Sequence, residues 1–404
     1  MVMATGQPRR ADEASAATGV GVKRVVHLLR RWRHLESACL RAALMGFLKT
    51  PAYETKIREG YAAWSHAERA NELEARLAEM RGGHHSANLD PALGRLGDAL
   101  AGEPEQAAFF AGWRAVVAEV VASYRRFIAQ GDPSANAQDL RVVRRCLADA
   151  ERDLAWLDER VEAEGSPEAP PAVLALLHAA GGVDGEQPLG DAAAGVLLPA
   201  ATRPDTVVFD ERIASGDFEN YDDRMDLPFE ERRLAECRIY FNEFYAAGLL
   251  ATILLDAWDT DAPWRFRMDM CHHFFDEVRH AEFGMIRLKE LGTEPDRVNL
   301  KLMEHAAKMP FLHRLCYLTL GLEVFFMPRK RPRVKRYEQA GDTRTQLFAD
   351  VDWSDEGNHV RYGKTWVNHF LENDARSVEE LQEEVREHMD RLDLGLKQGQ
   401  LAPY

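Results

Sequence analysis

Apolar residues recur along most of this chain at the spacing of an α-helix, and alternating strand-like runs are almost absent. This periodicity constrains the fold most, because helices with one apolar face must bury that face against one another. We therefore predict an all-α protein. Short connections between the first four helices predict an up-and-down bundle over residues 23–164, with the second helix stopping at Gly82–Gly83. These four helices are predicted at Lys23–Lys49, Tyr53–Met80, Glu105–Gln130 and Ala137–Glu164.

A second set of four helices is predicted after an irregular connector. Residues 165–226 are rich in Gly, Pro, Asp and Ala and predict a connector with one short helix near Pro171–Ala180. Residues 227–375 then predict a second bundle, which would give two four-helix bundles in tandem. Residues 1–22 predict a disordered lead-in, and residues 376–404 predict a last helix and tail. The later helices are predicted at Pro228–Trp258, Pro263–Leu291, Arg297–Met327 with a kink at Pro310, Thr343–Asn373 and Ser377–Gln398.

Charge and cysteine content argue against several classes of partner and site. The chain has 51 basic and 66 acidic residues and a net charge of −15, whereas a nucleic-acid or anionic-membrane binder needs a basic surface. No apolar run approaches the roughly 20 residues needed to span a bilayer. The five cysteines are scattered and form no C-x-x-C pair, which favours buried thiols over disulfides or a thiolate metal site. We therefore predict a cytoplasmic protein without a membrane or nucleic-acid partner.

Two Glu-x-x-His pairs are the clearest candidates for chemistry. Glu277 and His280 lie in the second helix of the predicted C-terminal bundle, and Glu356 and His359 lie in the fourth. Residues three apart on a helix share one face, so each pair can bind one metal ion. A single Glu-x-x-His is weak evidence. Two such pairs, each in mid-helix and separated by a third helix, predict a metal site.

The other two helices of this bundle each carry one glutamate inside an apolar segment. These are Glu243 and Glu323, and an ionised carboxylate in such surroundings is costly unless it is paired or binds a metal. Glu236, one heptad before Glu243, is an alternative to it. His273 is interpreted as a core histidine that could instead be an extra ligand. Thr319 either lines an oxygen pocket or is an ordinary helix-interior residue.

Aspartates precede both pairs and predict support for the ligand histidines. Asp276 and Asp355 each stand next to a candidate ligand glutamate. An acid at that place suits acceptance of the outer N–H of a ligand histidine. Arg279, beside His280, is assigned to the same supporting group.

One short similarity links the two halves. Residues 64–68 (WSHAE) match residues 278–282 (VRHAE), which favours a distant internal duplication, although two unrelated antiparallel bundles would also explain it. Aligning His66 with His280 puts Ala63 where Glu277 stands. We therefore predict that the N-terminal bundle is a metal-free scaffold.

A basic cluster follows the third helix of the C-terminal bundle, in a predicted loop near one end. It would either dock an anionic substrate, carrier or reductase, or form a solvated loop that complements a helix C-terminus. The basic cluster consists of Arg329, Lys330, Arg331, Arg333, Lys335 and Arg336.

The order Glu, Glu-x-x-His, Glu, Glu-x-x-His is the ligand pattern of ferritin-like di-iron carboxylate bundles. The D-E-x-R-H string at 276–280 resembles the signature of bacterial multicomponent di-iron monooxygenases. The strings HHFFDEVRHAEFG and DEGNHVRYGKTWV resemble an uncharacterised ferritin-like family and, more loosely, tRNA-hydroxylating di-iron enzymes. The resemblance in metal motifs covers about residues 228–372, with weaker similarity over 36–80. It departs from the monooxygenase signature at Asn358, where that signature has arginine.

The resemblance implies two iron ions, with O₂ as co-substrate; a Mn/Fe pair stays open. Glu243, Glu277 and His280 would hold one ion. Glu323, Glu356 and His359 would hold the other. Glu277 and Glu356 would be the bridging ligands.

A carboxylate-rich site suits oxygen-reactive iron or manganese. Apolar residues near the predicted ligands would exclude water and predict an organic substrate. We therefore predict an oxidase or oxygenase that hydroxylates, N-oxygenates or desaturates a small organic molecule, with a reductase or ferredoxin as a candidate electron donor. Iron storage, tRNA hydroxylation and a metal-free structural bundle are the alternatives, and a homodimer stays open. The apolar residues are Phe241, Phe244, Leu250, Phe274, Phe325 and Phe326.

Overall fold

The computed structural model describes residues 19–81, 90–165, 167–185, 195–198, 200–216 and 227–390. These residues are mostly helical, which confirms the prediction of an all-α protein. Their organisation as two ferritin-like bundles in tandem stays a prediction. Most of the predicted lead-in, the Gly82–Gly83 stop and the predicted tail beyond residue 390 lie outside the described residues.

The helices of the first part of the chain begin and end close to the predicted positions. A further helix, Pro91–Ala101, was not predicted, because its 11 residues give only three turns of apolar periodicity. The helices are α1 (Val22–Lys49), α2 (Tyr53–Ala78), α3 (Pro91–Ala101), α4 (Gln106–Gln130), α5 (Ala137–Ala163) and α6 (Pro171–Ala179).

The chain divides into two compact units that do not follow its linear order. Unit 1 comprises residues 1–36, 69–96 and 107–197, and unit 2 comprises residues 37–68, 97–106 and 198–404. Helices α1, α2 and α3 are therefore each divided between the units. The sequence instead assigned residues 23–164 to one N-terminal bundle.

Unit 1 is held together by a buried ionic network. Arg69 of α2 is 1% exposed, and its guanidinium lies 2.9 Å from Glu36 of α1 and 2.7 Å from Asp153 of α5. The Tyr124 hydroxyl of α4 donates to Glu36 at 2.9 Å. Four helices thus meet at one arginine whose charge is fully paired, as a buried charge requires.

Helix α4, in unit 1, is the one helix among the described residues that is long and apolar enough to cross a membrane. Within its most apolar window, 61% of the residues are buried inside the protein. The core helix of a soluble protein passes the same test, so this is weak evidence for a membrane span. Cytoplasmic localisation stays a prediction.

Unit 2 contains the helices that carry the candidate ligands. The predicted helix Pro228–Trp258 is broken by a turn at Glu243, and the predicted helix Arg297–Met327 is divided, with one of its breaks at Pro310 as predicted. Residues 317–322 form a π-helical segment directly before Glu323. The helices are α7 (Phe229–Asn242), α8 (Phe244–Asp256), α9 (Trp264–Glu290), α10 (Lys301–Ala306), α11 (Phe311–Cys316), α12 (Glu323–Ala340), α13 (Thr343–Leu371) and α14 (Val378–Asp390).

The predicted loop that carries the basic cluster is wrong, because α12 continues through Pro328 and Pro332 to Ala340. A proline inside a helix costs about 3 kcal/mol. Buried side chains further along α12 offset that cost: Lys330 and Arg333 form ion pairs with α13, and Tyr337 is fully buried. The helix ends at Gly341, whose φ of +71° is the left-handed conformation that favours glycine.

Helix α9 lies at the centre of unit 2, where it packs against α7, α8 and α13, while α12 packs on α13. Gly284 allows the close approach of α9 and α7: a Cβ at this position would lie 2.2 Å from the backbone nitrogen of Phe241. A short parallel pairing of Ala214–Ser215 (β1) with Arg297–Val298 (β2) joins the connector to the segment after α9. The glutamates and histidines therefore lie on helices that are closely packed.

Candidate metal centre

Two groups of buried side chains in unit 2 bring potential ligand atoms within 4.8 Å of one another. We call the first group position 1 and the second position 2. Glu277 belongs to both groups, which suits a bridging ligand. Position 1 consists of His273, Glu277, Glu323 and His359, and position 2 consists of Glu277, His280 and Glu356.

Position 1 is built from three helices around one oxygen of Glu277. Nε2 of His273 lies 3.2 Å from Oε1 of Glu277 and 3.1 Å from Oε1 of Glu323. Nδ1 of His359 lies 3.2 Å from the same Glu277 oxygen. The two imidazole rings stack with their centroids 3.6 Å apart. Two nitrogens and two carboxylates therefore converge on one point.

Position 2 uses the other oxygen of Glu277. Nδ1 of His280 lies 3.4 Å from Oε2 of Glu277. Glu356 presents Oε2 toward the cluster, 3.5 Å from Nδ1 of His359. Its Oε1 instead accepts a 2.7 Å hydrogen bond from the buried ammonium of Lys330.

The same spacing places the side chains on α9 and on α13. Residues at intervals of four and three share one helical face, and both helices use this interval: His273, Glu277 and His280 on α9, and Asp352, Glu356 and His359 on α13. Glu323 follows the π-helical segment, and such segments occur frequently at functional sites.

Asp276 and Asp355 support the histidines across the helix pair, not within their own helices. Asp276 of α9 accepts from Nε2 of His359 of α13 at 3.2 Å, and Asp355 of α13 accepts from Nε2 of His280 of α9 at 3.2 Å. Arg279 donates to both aspartates, at 2.5 Å and 2.7 Å. Each histidine thus has its outer nitrogen fixed and its inner nitrogen facing the glutamates.

The carboxylates of the cluster divide into two electrostatic types. Burial raises the pKa of Glu323 well above its ordinary value, and the charge of Glu356 raises it further. Burial would also raise the pKa of Glu277, but close contacts with His273 and the other two histidines hold it well below its ordinary value. Burial would likewise raise the pKa of Glu356, but the positive charge of Lys330 holds that pKa well below its ordinary value. Burial and the positive charge of His359 lower the pKa of His273 to about 4, which keeps this imidazole neutral and able to bind a metal.

Several buried ligand atoms make no acceptable hydrogen bond among the described residues. They are Oε1 of Glu277, Oε2 of Glu356 and Nδ1 of His359. A buried polar atom without a partner costs about 1–3 kcal/mol, and here three of them face one cluster. A set of imidazole and carboxylate donors suits iron or manganese. The residues present therefore fit a pair of such ions.

Glu243 and its alternative Glu236 both lie outside the two ligand groups. Glu243 stands at the break between α7 and α8 and is partly exposed. Burial of its carboxyl and the charge of Glu277 raise its pKa, so it lies close to the cluster. Glu236 accepts hydrogen bonds from Arg336 and Tyr337, which accounts for both of its oxygens. Glu243 is thus the better placed of the two.

Thr319 and the basic cluster do not match the functional roles that the sequence suggested for them. The Thr319 hydroxyl, in the π-helical segment, donates to the Leu315 carbonyl at the end of α11 at 2.7 Å. Of the basic cluster, only Arg331 and Lys335 are exposed, whereas Lys330 and Arg333 are buried. The cluster therefore does not form one continuous basic surface.

Sequence reasoning missed two buried residues beside the cluster. Asp352 is 2% exposed and lies 3.7 Å from Nδ1 of His280. Lys330, assigned above to a surface cluster, is 4% exposed and lies 2.8 Å from Asp352. The position of Asp352 four residues before Glu356 was a usable signal, because those residues share a helical face. His273 also joins the cluster, although its interpretation as a core histidine was preferred.

No protein-family model matches this chain, and neither a curated protein nor a solved structure is similar enough to count as a match. The ferritin-like assignment therefore stays an inference from the motifs.

Proposed function

We propose that this protein binds two iron ions at positions 1 and 2 and uses them with O₂ to oxidise a small organic substrate. The observation that carries the proposal is the pair of buried ligand groups that share Glu277 and hold ligand atoms without hydrogen-bond partners. The ligand pattern of di-iron carboxylate proteins supports iron as the metal.

Charge balance supports two divalent ions. Three buried glutamates line the two positions, with Glu243 beside them. Two divalent ions would neutralise four carboxylates, and Lys330 and Asp352 already neutralise each other. Without metal, this much carboxylate in a buried cluster depends on protons and histidines for compensation.

Iron ions held by the residues of positions 1 and 2 would supply electrons to O₂. The chain would orient the ligands for this task. Asp276 and Asp355 fix the tautomers of the histidines, so that the inner nitrogen of each is free to bind metal. Arg279 holds the two aspartates in one arrangement.

Aromatic side chains in the same unit would exclude bulk water. The rings of Phe241 and Phe244 lie 5.2 Å apart, and Phe47 packs on Phe244 and on Phe274 at 6.0 Å and 5.0 Å. Phe241 and Phe244 flank Glu243 in the chain, and Phe274 lies three residues before Glu277 on α9. An apolar environment at this place favours an organic substrate with apolar character over a freely hydrated ion.

The test is anaerobic loading of the full chain with Fe(II), followed by metal analysis and exposure to O₂. We expect about two iron ions per chain, as di-iron carboxylate bundles bind, and a change in optical absorption when O₂ is added. The double variant Glu277→Ala/Glu356→Ala should lose the bound iron. The matched control is Glu372→Ala, at the exposed end of α13, which should keep it.

Absence of bound iron in the unmodified protein would overturn the proposal. Iron that accumulates far beyond two ions per chain would favour storage instead. Iron that binds at the expected ratio but does not react with O₂ would remove the oxidase or oxygenase function while keeping the site.

A further inference from the structure

Lys330 makes the two metal positions chemically different. Its ammonium lies 2.7 Å from Oε1 of Glu356 and 2.8 Å from Oδ1 of Asp352, and all three side chains are buried. In position 1, by contrast, the ion pairs of Glu277 and Glu323 are with histidines. A fixed positive charge therefore touches a ligand of position 2.

This contact limits how Glu356 can bind a metal. One carboxylate oxygen is held by the lysine, so only Oε2 faces the cluster. A carboxylate whose second oxygen is bound in this way has one oxygen left for an ion. Position 2 then consists of His280, one oxygen of Glu356 and the shared Glu277, whereas position 1 has four ligand side chains.

The positive charge of Lys330 also weakens metal binding at position 2. A cation that approaches Oε2 of Glu356 is repelled by the ammonium bound to the other oxygen, and inside a protein this repulsion is stronger than in water. Asp352, which would otherwise attract a cation beside His280, already pairs with the lysine. Position 1 has no such ion pair among its described contacts.

We propose that Lys330 is a positioning residue that makes position 1 fill before position 2. This proposal rests on the proposed function, because it requires both positions to bind metal. It assigns to one residue of the basic cluster a role in the order of metal loading, through Glu356.

The experiment is a stepwise titration of the metal-free full chain with Co(II). Binding is measured by calorimetry and by the visible absorption spectrum of the bound ion. For the unmodified protein we expect two binding steps, the second at least about tenfold weaker, which corresponds to ~1.4 kcal/mol. Lys330→Met should tighten the second step about tenfold and leave the first unchanged. Lys330→Arg retains the positive charge and should keep the unequal steps.

Two further variants separate positioning from folding. Lys335→Met removes an exposed lysine of the same helix and should change neither step. Lys330→Met leaves two buried carboxylates without their cation, so the charge-balanced variant Lys330→Met/Asp352→Asn is the second test. It should also narrow the gap between the steps, with its helical content checked by circular dichroism.

Two equal steps in the unmodified protein would overturn the inference and leave the proposed function standing. The inference would also be overturned if the folded Lys330→Met variant or the folded charge-balanced variant keeps the affinity difference between the two steps of the unmodified protein. An equal weakening of both steps in either variant would overturn it as well. Failure of the unmodified protein to bind any Co(II) would count against the proposed function itself.

Discussion

Substitution of Gly284 tests the close packing of α9 on α7. A Cβ at this position would lie 2.2 Å from the backbone nitrogen of Phe241 and 2.6 Å from the carbonyl oxygen of Cys237. Non-bonded heavy atoms prefer separations of about 3.5–4.0 Å, so α7 would have to move by about 1 Å. Both obstructing atoms belong to the backbone, so no side-chain rotation can relieve the contact.

The expected effect of Gly284→Ala follows from two opposing terms. Overpacking costs typically about 1–3 kcal/mol, and a backbone clash belongs at the upper end. Alanine regains about 1 kcal/mol through its higher helix propensity. We therefore expect a net destabilisation of about 2 kcal/mol, which lowers the melting temperature of a unit of this size by roughly 4–8 °C.

Gly357 is the matched control, because it also lies inside a ligand-bearing helix. A Cβ there would meet nothing within 4 Å. Gly357→Ala should therefore raise stability by up to about 1 kcal/mol. The assay is thermal unfolding of the metal-free full chain, followed by its helical circular dichroism signal. A Gly284→Ala variant as stable as the unmodified protein, beside a stabilised Gly357→Ala variant, would refute the packing argument.

Three further predictions concern the support of the cluster and a buried lysine. Arg279→Met should weaken metal binding about tenfold, as loss of an outer-sphere partner typically does. The assay is competition with a chelator, and the control is Arg361→Met, an exposed residue whose substitution should leave the affinity unchanged. Equal metal affinity of the two variants would contradict the supporting role of Arg279. Metal loading should raise the melting temperature, with about 2.7 kcal/mol of stabilisation at a hundredfold excess over Kd, and a chelator should reverse the shift; no shift would indicate no binding to the folded state. Burial lowers the pKa of Lys56 from 10.5 to about 7, so between these values the unfolded chain holds a proton that the folded chain lacks, and stability should rise with pH by a few kcal/mol. Urea unfolding at pH 6.5 and 9.5 should show this rise in the unmodified protein and a smaller one in Lys56→Met; parallel behaviour of the two would contradict it.

The long helices could be predicted because apolar periodicity is a local property. Helix α9 was predicted at Pro263–Leu291 and spans Trp264–Glu290, and α13 was predicted to begin at Thr343, as it does. The meeting of the two Glu-x-x-His pairs also follows from local rules, since it needs only a shared helical face and two neighbouring helices. Most of the correct predictions therefore rest on strong helical periodicity and on the three-residue spacing of the Glu-x-x-His pairs.

The remaining features depend on contacts between helices. Whether a helix continues through Pro328 depends on the ion pairs that Lys330 and Arg333 make with α13. Once α12 is extended, one residue of an apparently basic surface turns inward to Glu356. The burial of His273 likewise depends on Glu323 of α12 and His359 of α13, which it contacts. No pattern within one segment encodes these outcomes.

The hydrogen bonds of Arg279 have a consequence for finding proteins with two Asp-Glu-x-x-His motifs by sequence search. A single arginine serves the aspartates of both motifs, which makes a second arginine at Asn358 dispensable. A motif search that demands an arginine in each half would therefore pass over any chain that uses one arginine for two histidines. A pattern that scores Asp-Glu-x-x-His twice, with arginine required only once, describes the chemistry of this arrangement better than two copies of one signature.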